Sequence, residues 1–310
     1  MITGSRELKS VDAVLSGRDT SDGAGVKLKR MFQGETSYPR TDPFLLCDIF
    51  GSSKVEDYIM GFPWHPHRGI ETVTYLWSGK VEHKDSEDHG GTIYPGDLQW
   101  MKAGSGIFHQ EMPHPLDEVY RKFNPNYGFP LERVSGIQLW VNLPSSQKMS
   151  TPSYAGILAK DIPRVVNGNG AKVSIISGEF EKTEGYYRGN RITDPSYFEI
   201  TLEPEAILDV GIREGYRAIL ITLEADFQVS DPRGARIGSF KTAILSTSGS
   251  RISMLNGSTR STLILVSGRP LNEPVAWYGP IVMNTREQIN AAFHDLENGT
   301  FVKDRNPLTV

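Results

Sequence analysis

Short runs of Val, Ile, Leu, Tyr and Thr, separated by turn residues, recur along most of the chain. The 31 glycines and 19 prolines fall largely between these runs, a pattern typical of short strands joined by tight turns. Helical periodicity is clearest in "NTREQINAAFHDLENG" (284–299), where Thr285 and Gln288 match a capping box and Gly299 follows the last apolar position. The pattern predicts an all-β protein with few short helices and one helix near its C-terminal end.

The strand-like runs form two groups, at about 25–143 and 172–283. The intervening segment "LPSSQKMSTPSY" is polar and rich in Pro and Ser, as linkers are. We therefore predict two β-domains, residues 1–145 and 146–310, with the terminal helix in the second. Many short strands at close spacing predict a sandwich or a small barrel in each domain.

Composition excludes some classes of function. The net charge of -4 and the pI near 6.0 do not indicate a basic surface for nucleic acid. No apolar run approaches the ~20 residues of a membrane span, and the first residues lack the apolar stretch of a signal peptide. The single cysteine, Cys47, lies in the apolar run "FLLCDIF" and is predicted to be buried and reduced. We expect a cytoplasmic protein, also nuclear in a eukaryote, without direct nucleic-acid or membrane binding.

Candidate chemistry begins at His65 and His67, which open the strand-like run "HPHRGIETVTYLW" (65–77). Because strand residues alternate between two faces, the odd positions are expected to share one face. These positions are His65, His67, Glu71, Val73, Tyr75 and Trp77. Imidazoles among bulky apolar groups suit a metal site inside a small barrel, since a metal and its ligands need packed surroundings.

A second pair of candidate ligands, His109 and Glu111, lies in "IFHQEM" (107–112), after a glycine-rich bend. If this segment and the first one are neighbouring antiparallel strands, His65, His67 and His109 can surround one ion together with a carboxylate. Three imidazoles and a carboxylate suit Fe, Mn, Co, Ni, Cu or Zn and match poorly the all-oxygen shell of Ca or Mg.

The carboxylate has two candidates. Glu111 is two residues from His109, so both side chains are expected on one face. Glu71 lies about 13 Å beyond His67 on a straight strand and reaches the same ion only if Gly69 introduces a bulge.

Other residues near the candidate ligands have less specific interpretations. His83 and His89 lie in the acidic stretch "VEHKDSEDHGG" and are predicted to be solvated. Several large side chains flank the ligand segments and are interpreted either as a wall for a flat ligand or as ordinary packing; they are Phe62, Trp64, Trp100, Met101 and Phe108.

The candidate segments resemble the metal-binding core of the pirins, a family of bicupins. The resemblance lies in "HPHRGIETVTYLWSG" and "GDLQWMKAGSGIFHQEMP", and it extends to "DPFLLCDIFG", "GIQLWVNLP" and "GRPLNEPVAWYGPIVMNTREQI". It implies two jelly-roll cupin barrels, a metal-binding barrel in residues 1–145 and a barrel without a metal set in residues 146–310. It also implies one Fe(II) per chain, held by His65, His67, His109 and Glu111. Glu71, at the carboxylate position of many other cupins, is expected behind the ligands or, alternatively, on the metal.

Pirins are similar in activity to quercetinases, which cleave flavonols with O2 and release carbon monoxide. The first hypothesis is therefore a dioxygenase of the quercetin 2,3-dioxygenase type, in which Glu111 is both ligand and transient base. Its substrates would be O2 and a small aromatic polyphenol. The second hypothesis is an iron-dependent, redox-sensing binding partner or coregulator of transcription factors or metabolic enzymes. A third is an oxygenase or isomerase that acts on another enolisable metabolite.

The shape of the site discriminates between the first two hypotheses. A substrate-sized opening over the metal favours the enzyme. A closed mouth beside a flat charged patch favours the binding partner.

Overall fold

The computed structural model describes residues 7–34, 37–189, 191–231 and 234–303, which form two compact units. The unit called here the first barrel comprises the described residues of 18–34, 44–159 and 273–310. The second barrel comprises those of 1–17, 35–43 and 160–272. Both units are cupin-type β-barrels, so the predicted all-β class is confirmed.

The secondary structure is dominated by short strands. The first thirteen strands are β1 (Val11–Ser16), β2 (Arg18–Asp22), β3 (Val26–Gln33), β4 (Phe44–Ser52), β5 (Phe62–His67), β6 (Ile70–Ser78), β7 (Lys80–Asp85), β8 (Gly90–Ile93), β9 (Leu98–Lys102), β10 (Ile107–His114), β11 (Val134–Asn142), β12 (Ser153–Ile157) and β13 (Arg164–Val166). The others are β14 (Ala171–Ser177), β15 (Glu179–Phe180), β16 (Thr183–Glu184), β17 (Ser196–Leu202), β18 (Ile207–Gly211), β19 (Arg217–Glu224), β20 (Asp226–Val229), β21 (Arg236–Gly238), β22 (Lys241–Leu245), β23 (Arg251–Asn256), β24 (Ser261–Gly268), β25 (Ala276–Tyr278) and β26 (Ile281–Met283). The two α-helices among the described residues are α1 (Glu118–Phe123) and α2 (Arg286–Glu297).

The first barrel consists of two antiparallel sheets and a C-terminal hairpin. The larger sheet has the order β12-β9-β6-β11-β4-β3-β2, and the smaller one has the order β5-β10-β7-β8. Apolar side chains that belong to both sheets pack together as a core, among them Leu28, Phe50, Leu76 and Val81. The hairpin β25-β26 packs with α2 through a separate apolar cluster.

The second barrel repeats this plan of two sheets around its own apolar core. Its seven-stranded sheet has the order β1-β22-β19-β24-β17-β14-β13, and its smaller sheet has the order β18-β23-β20-β21. The residues of this unit include no histidine, because all seven histidines of the chain belong to the first barrel.

The two units do not divide at the predicted boundary of 145/146. β1 pairs with β22 in the second barrel, whereas β12, which begins in the last two residues of the predicted linker, pairs with β9 in the first. Helix α2 also belongs to the first barrel. The correction has a physical reason: strands far apart in sequence pair to satisfy their backbone hydrogen bonds, and composition does not reveal such pairing.

Two local predictions agree with the structure. Helix α2 has the capping box formed by Thr285 and Gln288, and Gly299 follows it with a φ of 67°. Cys47 is buried as a free thiol. None of the helices in the described ranges has the length and apolar character required to cross a membrane.

Candidate metal centre

Strands β5 and β10 bring the three predicted histidines together. The strands are antiparallel neighbours, and His109 lies directly opposite His65. The imidazole rings of His65, His67 and His109 have centroids 4.4 to 5.0 Å apart. One nitrogen from each ring falls within 4.8 Å of the others, so the three can bind one ion.

Backbone carbonyl groups orient two of these rings. The Nδ1 atom of His65 lies 2.8 Å from the carbonyl oxygen of Pro63, and Nδ1 of His67 lies 3.1 Å from that of Pro280. If both Nδ1 atoms carry the proton and donate it to these carbonyls, both Nε2 atoms present lone pairs. These Nε2 atoms are only 3.1 Å apart, a spacing that a shared cation would stabilise.

His109 provides the test of whether a metal fits. Both of its ring nitrogens are buried and have no hydrogen-bond partner among the described residues. Buried polar atoms without partners are costly and call for a ligand or an ion. Burial also lowers the pKa of His65, His67 and His109, which favours the neutral imidazole that metals bind. The donor set therefore fits a transition metal.

Glu111 lies beside this cluster, in the wall of the same cavity. Its side chain is buried, and its Oε1 atom accepts a hydrogen bond of 2.8 Å from the Thr74 hydroxyl. Burial raises the pKa of Glu111 to about 7, although the bond from Thr74 acts in the opposite direction. The three-imidazole group does not include the Glu111 carboxylate, so its ligation of the metal remains a proposal.

The predicted common face from His65 to Trp77 is wrong beyond Gly69. β5 and β6 belong to different sheets, and the chain passes between them at Gly69, which has a φ of 80°. A Cβ atom there would overlap the carbonyl oxygen of Val282. The alternation changes phase at this crossing, so that Thr74, an even position, lines the cavity with His65 and His67.

Glu71 consequently points to the opposite face of β6 from Thr74. Its Oε2 atom accepts a hydrogen bond of 3.1 Å from Trp100 Nε1, and it is not among the described residues that line the cavity. Glu71 and Glu111, which spacing alone left as alternatives, thus occupy different environments.

The cavity over the imidazoles has a volume of about 490 Å³. Aromatic side chains form much of its wall, namely Phe50, Phe62, Trp64 and Trp140. Polar groups also line it, among them Asp22, Gln33, Asp48 and Gln138. Of the wall residues considered from the sequence, Phe62 and Trp64 line the cavity. Trp100, Met101 and Phe108 are not among its lining residues, and Phe108 packs against Phe301.

His83 is buried, contrary to the predicted solvated position. It lies on β7, opposite Glu111 on β10, and it is 7% exposed. Its Nε2 atom is 2.8 Å from the hydroxyl of Tyr154, and the two rings are stacked. Tyr154 comes from β12, within the predicted linker, so sequence spacing gave no signal for this contact. His89 is half-exposed, and its Nδ1 atom lies 3.0 Å from Asp85.

Lys148 is a further residue that sequence reasoning missed. Its Nζ atom is buried and donates to the Gly69 carbonyl (2.9 Å), to Asn142 Oδ1 (2.7 Å) and to the Val282 carbonyl (2.9 Å). Gly69 follows His67 by two residues, and Val282 follows Pro280, whose carbonyl contacts that histidine. Lys148 therefore fixes both segments that orient His67.

Two cupin-type barrels, with converging imidazoles in the first, define a bicupin whose candidate metal site lies in the first barrel. A family model described as pirin matches residues 25–141, and one described as pirin C-terminal cupin domain matches residues 197–302. The chain belongs to the pirin family.

Some similar proteins are named quercetin 2,3-dioxygenase and others are named pirin. A Thermoplasma acidophilum protein named "putative quercetin 2,3-dioxygenase" is 44% identical to this chain over 84% of it and 99% of that protein. Human pirin is 36% identical over 94% of this chain and 93% of its own. The crystal structure of quercetin 2,3-dioxygenase from Acinetobacter baumannii is similar at a TM-score of 0.82 and 32% identity, and covers 95% of this chain and 99% of that one.

Proposed function

We propose that this protein is a metal-dependent dioxygenase of the quercetin 2,3-dioxygenase type, with one Fe(II) per chain. The observation that carries the proposal is the convergence of three neutral imidazoles on a cavity of about 490 Å³. Ligand sites for drug-sized molecules commonly have volumes of about 300–1,000 Å³. The cavity lies within this range, and a flavonol is a molecule of this class. The names of two similar proteins support the same reaction class.

The proposed ligands are His65, His67, His109 and Glu111. When bound, the metal supplies the Lewis acidity and the redox chemistry that cleavage by O2 requires. The carbonyls of Pro63 and Pro280 hold His65 and His67 in the orientation described above.

The protein's own groups would bind the flavonol and accept its proton. We assign Phe62 and Trp64 to contacts with the flat rings, because aromatic side chains stack on such surfaces at little entropic cost. We also assign Gln138, which lines the cavity, to a hydrogen bond with a hydroxyl group of the substrate. Glu111 would accept the proton of the 3-hydroxyl, while Thr74 holds its other oxygen in place.

The activity is tested with protein loaded anaerobically with Fe(II), by measuring oxygen uptake with and without quercetin and carbon monoxide in the headspace. We expect quercetin-dependent uptake with one carbon monoxide released per O2 consumed. If protein shown to contain about one iron per chain gives no such turnover, the flavonol activity is rejected.

Replacing Glu111 with glutamine is expected to lower kcat about 100-fold, because an amide cannot accept the substrate proton. The Glu71→Gln variant is the matched control, since Glu71 points to the other face of β6. We expect it to retain kcat near that of the wild type. Turnover and iron content are measured for both variants, and equal losses of kcat would contradict the assignment of the base.

Replacing Trp64 with alanine is expected to raise KM for quercetin roughly fivefold with little change in kcat, because an aromatic contact contributes about 1 kcal/mol to binding. Trp64 is half-exposed at the cavity, so its removal should not disturb folding. The Phe123→Ala variant removes an exposed aromatic side chain outside the cavity as a control. An unchanged KM in Trp64→Ala would remove Trp64 from the binding wall.

A further inference from the structure

The interior of the second barrel changes from apolar to polar at one end. Two adjacent strands, β17 and β24, each carry a serine there on the face that otherwise forms the core. These serines are Ser196 and Ser267, which lie directly opposite each other, and Ser177 on the neighbouring β14 follows a register shift after Ile175. The other core positions of the three strands are apolar, including Val173, Ile175, Phe198, Ile200, Leu263 and Leu265. The barrel is thus filled with apolar side chains and ends in a polar floor.

A cavity of about 1250 Å³ lies over this floor, lined entirely by residues of the second barrel. The Ser177 hydroxyl donates to the carbonyl of Pro195 at 2.6 Å. The Ser267 hydroxyl has no hydrogen-bond partner in the part of the chain that the structure describes, although the residue is only 2% exposed and lines the cavity. It is available to a ligand.

Two guanidinium groups converge on Tyr216 at this floor. The Tyr216 ring is part of the apolar core, and its hydroxyl donates to Asp194 Oδ2 at 2.9 Å. The same hydroxyl accepts from Arg213 Nη1 at 3.3 Å and from Arg269 Nη2 at 3.4 Å. The carbon atoms of the two guanidinium groups lie 5.7 and 5.8 Å from the centre of the ring.

The two arginines differ in their ion pairs. Arg213 forms an ion pair with Asp194, whereas Arg269 has no carboxylate partner within the described ranges. Arg269, which is exposed, therefore presents to the cavity a guanidinium group without an ion pair to any described residue. Arg269 follows Ser267 by two residues, a separation of about 6.6 Å on an extended chain with both side chains on one face. A single carboxylate can reach both groups.

The rim of the cavity carries charged side chains of both signs. The cations Arg188 and Arg251 are paired there with Glu184 and Asp209. Three further carboxylates and two further cations line the cavity, namely Glu179, Glu181, Glu214, Lys182 and Arg191. The acidic and basic side chains of the lining are equal in number, at six each, so a molecule with a single carboxylate needs only Arg269 as its ionic partner.

From these observations we propose that the cavity of the second barrel is a second ligand site, which binds a small organic acid through one carboxylate. The carboxylate engages the fork of Arg269 and the hydroxyl of Ser267. The cavity volume leaves room for the organic group attached to the carboxylate. This site is independent of the metal and of the activity proposed for the first barrel.

The test uses the full-length protein and isothermal titration calorimetry with acetate, lactate, benzoate, succinate and inorganic phosphate as probes. We expect saturable binding of at least one monocarboxylate, one per chain, and weaker binding of phosphate and succinate. The Arg269→Ala variant should lose about tenfold or more in affinity, because it removes a charged hydrogen-bond donor. Binding should persist in His109→Ala, which separates this site from carboxylate binding at the metal.

The Arg236→Ala variant is the control for nonspecific effects of charge. Arg236 is an exposed arginine of the same barrel, paired with Asp226 and outside the cavity lining. The Arg236→Ala variant should bind the probes as the wild type does. The Arg269→Ala variant should retain the wild-type thermal transition and oxygen uptake. The proposal is overturned if no monocarboxylate binds, if Arg269→Ala and Arg236→Ala bind equally, or if phosphate binds more tightly than every monocarboxylate.

Discussion

Replacing His109 with alanine is expected to abolish tight metal binding and, with it, oxygen consumption. The ring of His109 provides the third nitrogen of the three-imidazole group, and neither of its nitrogens has another partner among the described residues. Loss of groups that merely orient a ligand weakens metal affinity about 10–100-fold. Loss of a ligand itself should therefore cost more than about 100-fold. Metal content after dialysis, measured by elemental analysis, gives the readout together with turnover.

The matched control is His89→Ala. His89 is a half-exposed histidine of the same barrel that contacts Asp85 and stands outside the three-imidazole group. This variant should retain one metal per chain. If His109→Ala also retains one metal per chain at wild-type affinity, the proposed donor set is wrong.

Replacing Lys148 with methionine is expected to produce the largest loss of stability among single substitutions proposed for this protein. Methionine fills a similar volume, but it removes the hydrogen bonds that Lys148 donates to the Gly69 carbonyl, the Val282 carbonyl and Asn142 Oδ1. Each buried acceptor that loses its donor costs about 1–3 kcal/mol in the free energy of unfolding, so the loss should be about 3–5 kcal/mol in all. At about 2–4 °C per kcal/mol for a domain of this size, the thermal transition should fall by roughly 10 °C.

Calorimetry and urea denaturation measure this effect, with Lys54→Met as the control. Lys54 is an exposed lysine of the same barrel, and its replacement should leave the transition nearly unchanged. Because Lys148 fixes the segments on both sides of His67, metal affinity should also fall in Lys148→Met. Equal unfolding free energies for the two variants would show that the buried hydrogen bonds contribute nothing net.

The contrast between Glu71 and Glu111 explains how far spacing predicts a site. Glu111 shares a strand with His109, and alternation along one continuous strand is a local rule that holds there. Glu71 is separated from His67 by Gly69, where the chain passes from one sheet to the other. Alternation of side chains does not continue through such a point, because the orientation of the next strand depends on the elements against which it packs.

The sequence by itself determined the all-β class, the capped helix α2, the buried cysteine and the two pairs of candidate ligands, His65 with His67 and His109 with Glu111. These features follow from contacts between residues close in the chain, or from alternation within single strands. Only the tertiary structure decided the composition of the two barrels, the approach of His109 to His65, the face of Glu71, and the burial of His83 and Lys148. Each of these depends on strands and loops that are distant in sequence, and such contacts form because burial and backbone pairing are satisfied by the whole fold.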